Sequence, residues 1–174
     1  MNKELARQAK DAIVKEFAAR KIPSENLSFV LPQMLVETAG FTSKVSRVNN
    51  LSGIIFVGQK LAYDSKIALP ERERELYGNY TYAGFTSVDN WAKEYLNILQ
   101  RKKVIPAKNL TDFAQKLKSA KYFTASLKDY EKALSSWLPQ LKKMFLDVDF
   151  TAMTAASPVI LILVVALIIF SLSK

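Results

Sequence analysis

From Phe150 to Ser173 the chain carries no charged side chain, and from Val159 to Phe170 it is wholly apolar. A run of this kind must leave water either inside a protein core or inside a bilayer. A core would have to surround it on every face, and the remaining residues are too few to do so. With Thr151 to Ala156 added, the run reaches the ~20 residues that cross a hydrocarbon layer. One transmembrane helix over residues 151–173 is therefore expected, anchoring a single domain of residues 1–149. Charges recur from Lys3 to Arg20, so no cleavable signal is expected there, and the anchor falls at the tail. Lys142 and Lys143 before the run, set against Lys174 after it, lean only weakly toward a cytoplasmic domain.

The domain has no Cys and no His, which excludes disulfides, thiol nucleophiles, His-based triads and nearly every zinc site. No metal or other cofactor is expected. Any chemistry falls to carboxylates, Tyr, Ser, Thr or Lys. Lys174 is the only charged side chain after Asp149, so residues 1–149 carry +8 of the +9 formal charge. That charge suits an anionic partner, whether nucleic acid, lipid headgroups or an acidic wall polymer. The basic residues are scattered over many segments with no stripe or nucleic-acid motif, so nucleic acid is not the expected partner.

Helical spacing dominates. Leu5, Ala9, Ala12, Ile13 and Phe17 form one amphipathic face ending near Lys21 and Pro23. A second helix is marked by Ser28 and by Pro32, tolerated in a first turn, and ends around Ala39 and Gly40. From Asn49 to Tyr82 short strands are expected at Ile54–Gly58 and Tyr77–Tyr82, flanking the charged run from Glu71 to Glu75. Three helices follow: one capped by Thr86 or Ser87, one capped by Thr111, and one carrying Leu127, Tyr130, Leu134, Trp137, Leu138 and Leu141. The expected class is α+β, a mainly helical domain with a small β-hairpin lobe.

Four segments carry a resemblance. Gln33-Met-Leu-Val-Glu37-Thr-Ala-Gly-Phe41 is followed by Asn49-Asn-Leu-Ser-Gly-Ile54, then by Tyr80-Thr-Tyr82 with Phe85 to Trp91, and last by Leu117 to Thr124 with Tyr130. In order and spacing, over roughly residues 20 to 140, they resemble the glucosaminidase family of peptidoglycan hydrolases, which has a lysozyme-like fold. The resemblance implies a peptidoglycan-cleaving enzyme with Glu37 as general acid, acting as an N-acetylglucosaminidase or as a lytic transglycosylase. Asn50, Tyr80, Tyr82 and Tyr122 are the implied substrate contacts, and peptidoglycan glycan strands and the bilayer the implied partners.

Those residue types suit that chemistry. A Glu holds a proton near neutral pH only where apolar walls disfavour its charge. Tyr rings offer sugars an apolar face and a polar tip. Asn49 and Asn50 also fit turn chemistry, which would fix the loop rather than grip a sugar. A second carboxylate, usual in glycosidases, has candidates in Asp64, Glu71, Glu73 and Glu75, none marked by a motif. The family's Trp-Gly is replaced by Ala39-Gly-Phe41, and its Phe by Ser52. These departures keep an alternative open: a non-catalytic, membrane-bound structural or wall-binding protein on the same fold. A wall enzyme with a tail anchor would suit the membrane of a bacteriophage virion or a bacterial envelope.

Overall fold

In a computed structural model, residues 1–151 are described. They form an α+β structure, mostly helical, with one two-stranded antiparallel sheet. The expected transmembrane helix at 151–173 lies outside the described residues, save for Thr151. Among the described residues no helix is long and apolar enough to cross a membrane.

Helix α1 (Lys3–Arg20) starts where the Asn2 side chain accepts from the Leu5 amide, and it buries Ala6, Ala9, Ala12, Ile13 and Phe17. It lies along α4 (Val88–Arg101), which Ser87 caps by accepting from the Asn90 amide. Arg20 ties the two helices: it pairs with Glu16 and donates to Asn97, Gln100 and the Lys93 carbonyl. Helix α2 (Leu27–Glu37) is the centre of the molecule, buried at every position from Leu27 to Leu35. An apolar surface all round demands protein on all sides, and here α1, α6 (Leu127–Ser136) and α7 (Leu138–Met144) supply it.

Four local expectations need correction. Pro32 lies inside α2 rather than in its first turn, because the helix begins at Leu27 straight after a 3₁₀ turn at Ser24–Asn26. The hairpin strands are β1 (Ala62–Ala68) and β2 (Thr81–Phe85), pairing Ala62 with Phe85 and Ala68 with Thr81. Of the expected Ile54–Gly58 strand only Ile55 pairs, through a single bridge to Tyr82. The charged run is helix α3 (Glu71–Tyr77), in which no residue is buried. Asn109, not Thr111, caps α5 (Leu110–Ser119). The last predicted helix is two, α6 (Leu127–Ser136) and α7 (Leu138–Met144), because Pro139 in the first turn of α7 cannot donate back into α6.

Candidate active site

Glu37 is the last residue of α2. The chain stops being helical there because the Thr38 hydroxyl donates to the Met34 carbonyl (2.6 Å) and accepts from the Phe41 amide (3.1 Å). Ala39, Gly40 and Phe41 then take left-handed backbone angles, which turn the chain sharply away. A β-carbon at Gly40 would lie 2.9 Å from the Trp137 ring, so only glycine lets this turn pass beneath that ring. The Gly40 carbonyl also accepts from the Asn2 amide, pinning the turn to the start of α1.

The Asn-Asn-Leu-Ser-Gly-Ile segment packs directly beside the acid. A β-carbon at Gly53 would come within 3.8 Å of Glu37 Oε2. Asn50 fixes the loop: fully buried, it donates to the Ile54 and Ala83 carbonyls and accepts from the Ile54 amide. Both amide protons are committed to backbone, so this expected substrate contact has no donor left for a sugar. Asn49 plays a similar part, donating to the Phe85 carbonyl from a left-handed position. Ser52, which departs from the family pattern, is buried, accepts from the Trp91 indole (3.0 Å) through its hydroxyl, and takes the Tyr122 hydroxyl (2.8 Å) on its carbonyl.

Around the half-buried Glu37 carboxyl stand phenols from three parts of the chain. Tyr130 on α6 donates to Oε1 at 2.7 Å, and its ring is stacked on Phe123 with centroids 3.6 Å apart. Tyr122, from the loop before α6, and Tyr82, from β2, both lie within the electrostatic reach of Glu37. Burial is the largest influence on Glu37 and raises its pKa; the Tyr130 hydrogen bond and the nearby Gln33 amide lower it; the negative charge of Glu73 raises it again. The balance leaves the carboxyl at about 7, far above the usual carboxylate value. Burial also pushes the Tyr82, Tyr122 and Tyr130 phenols up, so all three remain protonated donors at neutral pH.

Of the four carboxylates left open by the sequence, Glu73 is the one the fold brings to Glu37. It projects from α3, receives the Tyr82 hydroxyl at 2.9 Å, and is felt by Glu37 as a like charge. Asp64 is engaged elsewhere: Lys66 and the Thr81 hydroxyl hold its half-exposed carboxylate down at about 2. Tyr80, half exposed, lines an open hollow of about 440 Å³ with Phe56, Val57, Asp64, Asn79 and Thr81, a hollow Glu37 does not line.

The fold therefore brings Glu37, Tyr82 and Tyr122 into one neighbourhood, commits the Asn50 amide to its own loop and leaves Tyr80 lining a separate hollow. Sequence reasoning omits Gln33 and Tyr130 as site residues and leaves Glu73 as one of four carboxylates that no motif marks. The signal for Gln33 is its place one turn before Glu37, and that for Tyr130 is its presence in the fourth matched segment. Glu73 carries no local signal. Among the described residues no cluster of carboxylates suits a metal ion. No family model, curated protein or solved structure matches this chain.

Proposed function

We propose that the protein is a peptidoglycan-cleaving enzyme of lysozyme-like architecture, held to a membrane by residues 151–173, with Glu37 as its general acid. The observation that carries this reading is the Glu37 carboxyl itself, raised to about 7 by burial and oriented by the Tyr130 hydroxyl. An acid whose pKa lies near the working pH is protonated often enough to donate, yet gives the proton up readily. Cleavage of a glycosidic bond needs that proton on the departing oxygen.

Glu73 is the second carboxylate in this mechanism. It reaches Glu37 from the lobe as a like charge, and in that role a carboxylate would activate a water or stabilise positive charge at the anomeric carbon. Tyr82 fixes Glu73, and Tyr122 offers an apolar ring edge for a sugar beside the acid. If Glu73 served only to stabilise charge, the attacking oxygen would come from the sugar, as in transglycosylases. The net positive charge of residues 1–149 favours approach to an anionic wall. A virion membrane or a bacterial envelope is the proposed setting.

The test is digestion of purified peptidoglycan by the full chain in detergent micelles, with mass spectrometry of the fragments. Reducing-end N-acetylglucosamine identifies a glucosaminidase, and anhydro-muramic ends identify a transglycosylase. Absence of fragments from folded protein, across walls of several compositions, would overturn the proposal in favour of a wall-binding protein.

A further inference from the structure

We propose that Gln33 is a positioning residue for Glu37: the Tyr95 hydroxyl locks the Gln33 amide so that its nitrogen serves the ionised Glu37 carboxylate. The two side chains lie four residues apart on α2, stacked on one helix face. Gln33 is fully buried, and its carbonyl oxygen is taken by Tyr95 on α4. The atom it meets is the amide oxygen, which carries no proton, so Tyr95 is the donor, and burial keeps its phenol protonated. The amide oxygen is thereby assigned to Tyr95 and the amide nitrogen faces the other way.

That nitrogen finds no acceptor at full hydrogen-bonding geometry among the described residues. It nevertheless lies close enough to pull both the Glu37 and Tyr122 ionisations downward. A buried donor without a partner costs stability and persists where a second state uses it. In the geometry described, Tyr130 occupies Glu37 Oε1. Once Glu37 has given up its proton, its carboxylate has more acceptor capacity than Tyr130 fills, and Gln33 is the neutral donor one turn below. The other titratable groups facing Glu37 are Glu73 from α3, which opposes ionisation, and the Tyr82, Tyr95 and Tyr122 phenols, which stay neutral. Gln33 thus shares with Tyr130 the work of stabilising the conjugate base, and Tyr95 acts through Gln33.

The inference rests on Glu37 as the working acid, yet its test reads the carboxyl and not the catalysis. In ¹³C-glutamate-labelled full chain in detergent micelles, the Glu37 resonance is identified by its loss in Glu37→Gln and titrated by NMR. Gln33→Leu should move its midpoint upward by roughly one pH unit, the size of one hydrogen bond to a charged group. Tyr95→Phe keeps the ring and frees the amide to turn, so it should move the midpoint the same way by less. In the double variant the Tyr95→Phe effect should vanish, because nothing remains for Tyr95 to lock. Unchanged midpoints in both single variants, with or without loss of thermal stability, would overturn the proposal. If the midpoints move and no wall is cleaved by the wild type, the coupling stands and the catalytic reading falls.

Discussion

The helical body and the β-lobe treat the same functional group in opposite ways. In the body Glu37 sits among Tyr130, Tyr122 and Gln33, and burial raises its carboxyl to about 7. In the lobe Asp64 stands in water beside Lys66 and Thr81, which hold it at about 2. The body is packed on every side of α2, whereas α3 buries no residue and the strands are mostly half-exposed. Under the proposed function that difference is a division of labour: a proton donor needs the desolvation that the body supplies, while the second carboxylate, Glu73, stands on a helix that buries no residue.

The sharpest way to break this contrast is to remove the body's carboxyl. Glu37→Gln should lower wall cleavage by about 10²–10⁴-fold, the usual worth of a positioned acid, measured as fragment release from purified peptidoglycan. The same substitution should raise stability. A pKa raised from 4.5 to about 7 means that the unfolded chain ionises first, so stability falls as pH rises from 4.5 through 7. Glu37→Gln removes that loss, roughly 3 kcal/mol at its fullest above pH 7. Wild type and variant should melt alike below pH 4 and diverge by pH 8, as differential scanning calorimetry would read.

On the lobe side the effects are smaller. Glu73→Gln should lower cleavage by roughly 10–100-fold if Glu73 acts on the reaction. Should only the like-charge effect on Glu37 matter, the rate would change little and the alkaline limb of the pH profile would shift down, since Glu37 ionises at lower pH once the Glu73 charge is removed. The direction of that limb therefore separates the roles: a downward shift without rate loss assigns Glu73 to electrostatics alone. Least of all, Gly84→Ala tests the lobe's own packing. A β-carbon there would lie 2.4 Å from the Tyr63 ring, but that ring is 43% exposed and able to move. A cost of about 1 kcal/mol in urea unfolding is expected, relieved when Tyr63→Ala is added.

Helix-forming segments were the readable part of this sequence, because their apolar residues recur at helical spacing and a cap such as Ser87 marks the start of α4. The strands were not, since Ile54 to Gly58 has a strand's composition but pairs only at Ile55, while Ala62–Ala68, mixed in composition, makes the ladder. Glu37 was singled out by its place in a segment that resembles the glucosaminidase pattern, and its burial shows only in the fold. Asn50 was legible as a turn former and misleading as a sugar contact, because its amide closes a loop. Glu73 and the Tyr95 lock on Gln33 depend on segments far apart in the chain that meet only once it has folded.

The most direct test of Glu37 as the working acid is the rate of wall cleavage by the full chain in detergent micelles between pH 5 and 9. The account predicts a rate that falls as pH rises through about 7, as the donor proton is lost, and Glu37→Gln protein whose cleavage is lower by about 10²-fold or more and no longer falls through that range. Cleavage that persists in Glu37→Gln with the same alkaline limb would contradict it.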